Sequence, residues 1–177
     1  MKILGIDPGI ETTGYGIVED EAAPVKGVTR ANNQGLKMID YGCIITSRQL
    51  SLAQRLVVIR QNLADIISRY QPDTASIEEI FFSKNVKTAT SVAHARGVIL
   101  LTIAEAGLSV FEYTPLQVKH TVCGAGHADK AQIQKAVKLF LRLDNIPKPD
   151  DAADALAIAI CHIQRNKMCK LAEKANK

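Results

Sequence analysis

The sequence predicts an α/β fold: a mixed five-stranded sheet flanked by helices, in the order βββ-α-β-α-β-α-α. Three observations carry this. Apolar runs joined by glycine-bearing or polar turns fill residues 2–46, as in a local meander of strands. From Leu52 the apolar spacing turns helical. Beyond Pro72, short apolar runs alternate with helical stretches, which puts the later strands parallel to their neighbours and the helices on the faces.

Residues 2–7 are mostly apolar, as a central strand buried on both faces should be. Gly14 to Glu19 reads as a second strand. Residues 20–35, with Pro24, Gly27, Asn32, Asn33 and Gly35, read as a long polar hairpin loop. Leu36 to Thr46 reads as the third strand. Leu52, Leu56, Ile59, Leu63, Ile66, Ile67 and Tyr70 share one helical face, and Pro72 ends that helix. Residues 74–78 form a short strand, and a helix follows from about Val86 to Ala106 with Gly107 as its C-cap. Ser109 to Tyr113 reads as the fifth strand and 114–129 as a loop bearing Pro115, Gly124 and Gly126. A helix from about Lys130 to Leu143 turns Ile133, Val137 and Phe140 inward. Pro147 and Pro149 separate it from a last helix, about Asp151 to Gln164. The organisation expected is one domain over 1–164 and a basic, partly disordered tail over 165–177.

The 177 residues are enough to bury a self-sufficient core. No apolar run is long enough to span a membrane. The chain enters a strand at once, with no signal peptide, and its four cysteines show no zinc or disulfide spacing. Both point to the reducing cytoplasm. The net charge is +4, from 22 basic and 18 acidic residues. Without the four acids singled out below, 14 acids remain, and the balance elsewhere is +8. A basic surface around an acidic centre suits a polyanionic substrate, although such a balance can also serve solubility alone.

Those four acids are Asp7, Glu78, Asp151 and Asp154. Asp7 and Glu78 each end an apolar strand. If those strands lie parallel as neighbours, both carboxylates reach the sheet edge where such folds bind ligands. Asp151 and Asp154 stand three apart and so share a helix face. Singly, each has an ordinary reading as a turn former, a strand-end acid or a helix N-terminal acid. Together they form a set of hard oxygen donors suited to Mg2+ or Mn2+. Two such ions about 4 Å apart activate water and steady the leaving oxygen of a phosphodiester, without a serine or histidine nucleophile. Asp150, directly after Pro149, is read as the N-cap of the last helix rather than a ligand. Asp7 among glycines 5, 9, 14 and 16 also hints at a phosphate loop, but the helical half of that signature is absent.

Read in order, the motifs resemble the RuvC-type Holliday-junction resolvases of the ribonuclease-H-like superfamily. The similarity spans about residues 2–162. It is carried by Ile3-Leu4-Gly5-Ile6-Asp7-Pro8-Gly9 with Gly14-Tyr15-Gly16, Ile77-Glu78-Glu79-Ile80-Phe81-Phe82 with Lys84-Asn85, and Ala95-Arg96-Gly97-Val98. Glu112 to Lys119, Gly124-Ala125-Gly126 with Ala128-Asp129-Lys130, and Asp151 to Ala157 complete it. The resemblance implies a homodimeric, metal-dependent endonuclease that nicks two opposed strands of a four-way DNA junction, in recombination and repair. It places the catalytic carboxylates at Asp7, Glu78, Asp151 and Asp154, DNA-contacting lysines at Lys119 and Lys130, and an aromatic wedge at Phe81. It implies dimerisation through the helix at about 86–106 and a branch-migration motor complex as partner.

Alternatives remain at this point. Lys119 and Lys130 can be solvated lysines, and Phe81 or Phe82 can be core. His94, His120, His127 and His162 have no metal spacing and read as surface or supporting residues, with His127 the best placed to meet DNA. A non-cleaving branched-DNA binding module, or a ribonuclease-H-like nuclease acting on another nucleic acid, would share much of this pattern. An actin-like half would need a second domain of similar size.

Overall fold

The computed structural model describes residues 1–21, 35–79 and 86–175, without the side chains of 86–89 and 174–175. The expected long hairpin loop therefore falls almost wholly outside the described residues, and so does Phe81.

Among the described residues, five strands form one sheet: β1 (Lys2–Asp7), β2 (Thr12–Asp20), β3 (Leu36–Ile45), β4 (Thr74–Glu78) and β5 (Ser109–Tyr113). Their spatial order is β3-β2-β1-β4-β5. The first three are antiparallel neighbours, while β4 runs parallel to both β1 and β5. This is the mixed sheet expected, with strand β1 at its centre.

Among the described residues, five helices cover it. α1 (Leu52–Tyr70) starts with a capping box of Ser51 and Gln54. α2 (Val86–Glu105) ends at Gly107, whose φ of 72° suits a residue without a Cβ. α3 (Pro115–Cys123), α4 (Lys130–Leu141) and α5 (Asp150–Ala175) follow β5. Alternation along the strands divides the core. Ile3 and Val18 point to the face covered by α3, α4 and α5, with Val118, Val137, Leu156 and Ile160. Leu4, Ile6 and Ile17 point to the face covered by α1 and α2, with Ile59, Leu63, Ile99 and Ile103.

Three expectations are corrected. The segment 114–129 is not all loop, because α3 occupies 115–123. Its proline and glycine are helix punctuation: Pro115 sits in the first turn behind a Thr114–Gln117 capping box, and Gly124 is the αL C-cap. Beyond 164, where a partly disordered basic tail is expected, α5 continues to Ala175. No proline or glycine follows Pro149 to stop it, and Lys167 pairs with Asp20 at 2.9 Å. Asp150 is not the N-cap. The Pro149 carbonyl already accepts from Ala152 and Ala153, each at 3.2 Å, so Asp150 is the first helical residue. Its carboxylate turns to Gln134, which donates at 2.8 Å.

Candidate active site

The close approach of α5 to the sheet builds the site. Helices reach a sheet backbone this closely only over residues without side chains. A Cβ on Gly5 would lie 2.1 Å from the Ala155 carbonyl oxygen, and one on Gly14 would lie 2.0 Å from that of Asp151. At Gly16 the obstacle would be Leu156, 2.7 Å away. Gly5, Gly14 and Gly16 thus serve as a seat for α5, while Gly9 packs against Thr12 at the start of β2. Ala152, Ala155 and Ala159, all fully buried, form the helix side of the seam.

This seam brings the four acids together. Gly14 is the cross-strand partner of Asp7, so the backbone of Asp151 lies over the neighbour of Asp7. On the other side of β1, Ile6 stands opposite Ile77, and Asp7 and Glu78 end their parallel strands side by side. Asp154, one turn along α5, lines a cleft of about 210 Å³ together with Glu78, Lys119 and Lys130. The capped helix α3 carries Lys119 into this cleft, and Lys130 opens α4.

The electrostatics fit a site made for positive charge. Asp7 has its pKa pushed up to about 8, first by burial, then by Glu78, Asp154 and Asp151, against the pull of Lys130. Glu78 is pushed up to about 7 by burial and then by Asp154, with Lys119 opposing. Burial also raises Asp154, against the charge and hydrogen bond of Lys130. Lys130 Nζ stands 3.5 Å from Asp154 Oδ2 and 3.3 Å from Asp150 Oδ2. One or two ammonium groups do not balance four carboxylates, so the residual repulsion is what a divalent cation would relieve. Among the described residues, no three acidic, histidine or cysteine groups surround one point closely enough to hold an ion. The fold supplies hard oxygen donors and an excess of negative charge.

Of the histidines, His94, His120 and His127 are exposed, whereas His162 is 3 % exposed. It is a core residue rather than a surface one: its Nδ1 lies 2.8 Å from the Tyr113 hydroxyl, and its ring packs 4.4 Å from that of Phe111. Sequence reasoning also missed the pinning of the loop after Asp7. Thr13 Oγ1 donates to the Gly9 carbonyl at 2.6 Å, and Thr46 Oγ1 to that of Ile10 at 2.5 Å. Arg55 adds a bond from Nη2 to the same Ile10 oxygen at 3.2 Å and one from Nε to Thr46 Oγ1 at 2.8 Å. These partners lie up to 45 residues apart, and no local pattern announces them.

The family model described as crossover junction endodeoxyribonuclease RuvC matches residues 3–162. The chain belongs to the RuvC family. A curated RuvC from Caldicellulosiruptor saccharolyticus is 55% identical over 163 residues, 92% of each chain. The structure of Thermus thermophilus RuvC in complex with Holliday junction substrate superposes with a TM-score of 0.84 at 33% identity, covering 95% of this chain and 96% of that one. The yeast mitochondrial Holliday junction resolvase Ydc2 has a TM-score of 0.61 at 12% identity, covering 92% of this chain and 78% of that one, which shows the shared fold alone. RuvC proteins are metal-dependent endodeoxyribonucleases. Among the described residues no helix is long and apolar enough to cross a membrane.

Proposed function

We propose that the chain resolves four-way DNA junctions by nicking two opposed strands symmetrically, with Asp7, Glu78, Asp151 and Asp154 as its catalytic, metal-binding carboxylates. The observation that carries this is their convergence from β1, β4 and α5 in a chain that is otherwise basic. When bound, Mg2+ ions, with Mn2+ as a substitute, would activate water and stabilise the leaving oxygen. The protein's own residues do the rest. The α5–glycine seam holds Asp151 and Asp154 over the ends of β1 and β4. Lys119 and Lys130 line the cleft where a backbone phosphate would lie, and their positive charge draws it toward the acids. Lys130 also pairs with Asp154, which ties the phosphate-binding charge to the acids.

Paired nicks need two active sites, which favours a homodimer; the resemblance places its interface on α2 and adds a branch-migration motor complex as partner. Phe81, three residues after Glu78, would act as the wedge at the junction centre. The cytoplasm is where such an enzyme meets chromosomal junctions, and residues 1–164 would form its nuclease unit. The test is cleavage of a mobile synthetic four-way junction in Mg2+, with cuts mapped on all four strands. Symmetric paired nicks are expected. Binding without cutting would leave only a branched-DNA binding module, and preferential cutting of RNA–DNA hybrids would move the substrate elsewhere.

A further inference from the structure

A second cleft, of about 480 Å³, reaches Asp151 from the side of α1 and α2, whereas the first is lined by α3, α4 and α5. Ile10 and Thr12 from the loop after Asp7, Arg55 from α1, Ser91 and Val92 from α2, and Asp151 itself line it. The first cleft takes Glu78 and Asp154 with Lys119 and Lys130, so the acids of the site are shared between the two clefts.

A strand cut in its interior continues on both sides of the scissile phosphate. Its active site therefore needs two exits, and the fold has one on each side of the acids. We propose that the second cleft seats the nucleotide flanking the scissile phosphate, on the side away from Lys119 and Lys130. Ile10 and Val92 offer apolar surface to a sugar or base face. Thr12 and Ser91 offer hydroxyls, and the Arg55 guanidinium offers charge to the next phosphate. Glu11, also on this rim, is paired with Arg48 at 2.7 Å, which reduces its repulsion of a phosphate. The rim is rigid, because the hydrogen bonds from Thr13, Thr46 and Arg55 hold the carbonyls of Gly9 and Ile10. Such pinning suits a surface that must hold a flexible strand in one register.

This inference rests on the junction-cutting reading, and the test separates the two. Cleavage rates in Mg2+ are measured for the full chain and for Ser91→Phe, which fills the cleft from a half-buried position on α2 and is compared only at the oligomeric state that sedimentation gives the full chain. Substrates are a four-way junction, the same junction with one abasic nucleotide on either side of the cut, and one with the abasic nucleotide several positions away. The full chain should lose about fivefold or more in rate with the abasic nucleotide at one flanking position and little at the distant one. Ser91→Phe should lose a similar factor on the intact junction and little more at that flanking position, because the two changes remove the same interaction. Full tolerance of both flanking abasic nucleotides overturns the proposal. So does wild-type activity in Ser91→Phe, or two penalties that multiply. Should Ser91→Phe fail to fold, the abasic series on the full chain decides alone. A full chain that cuts no junction at all would instead overturn the nuclease reading, and this inference with it.

Discussion

Gly14 lies against Asp151 so closely that a single Cβ would fall 2.0 Å from the Asp151 carbonyl oxygen. Because Gly14 pairs with Asp7, this one approach sets the distance between the acid of β1 and the acids of α5. Gly14→Ala should push α5 off the sheet. We expect a loss of roughly 1–3 kcal/mol in stability. That is several degrees in Tm for a chain of this length, at roughly 2–4 °C per kcal/mol. Cleavage should fall further than junction binding does. A Gly14→Ala protein with normal Tm and cleavage would show that the seam is slack.

Repulsion among the acids should show in the pH dependence of the metal-free protein. Asp7 has its pKa pushed up to about 8 and Glu78 to about 7, well above their unfolded values. Between the unfolded and folded values the folded chain binds more protons, so stability falls as pH rises. Metal-free Tm should therefore decline from about pH 4 to about pH 8. Added Mg2+ should restore it most at the alkaline end. Asp7→Asn should flatten the metal-free profile and abolish cleavage. Differential scanning calorimetry across that range checks the slope, and a profile as steep in Asp7→Asn as in the parent would refute this origin.

Asp150 and Asp151 should behave in opposite ways. Asp150 is half exposed and spends its carboxylate on Gln134 and Lys130. Its exposed ion pair contributes at most about 1 kcal/mol. Asp150→Asn should keep most cleavage, whereas Asp151→Asn should lose it and still bind junctions. Gel-shift and cleavage assays on both single variants decide. A dead Asp150→Asn beside an active Asp151→Asn would move the catalytic pair by one residue.

Lys119 and Lys130 both line the carboxylate cleft, Lys130 from a half-exposed position. If both hold phosphates, Lys→Ala at both should weaken junction binding and reduce the log–log salt slope by roughly one unit for each phosphate no longer held. Lys130→Ala should in addition raise the pKa of Asp154, which the Lys130 charge and hydrogen bond hold down. Titrations at several salt concentrations test this, and an unchanged slope in the double variant would remove both residues from phosphate binding.

Local chemistry determined much of this protein. The strand and helix periods, the Pro72 stop and the apolar run ending at each of Asp7 and Glu78 can all be read in order along the chain, because each depends on neighbours a few residues away. The i,i+3 spacing of Asp151 and Asp154 belongs to the same class. Even α3 is legible, since Thr114, Pro115, Gln117 and Gly124 are helix signals that a loop reading overrides. Only the tertiary structure decided that Gly5, Gly14 and Gly16 seat α5, and that Asp150 serves Gln134 and Lys130 instead of capping its helix. It alone joined Arg55 to Ile10 and placed Asp151 in a different cleft from Asp154. These facts depend on which surfaces meet across tens of residues. Periodicity states which face of an element is buried, but the partner that buries it is chosen by packing in three dimensions.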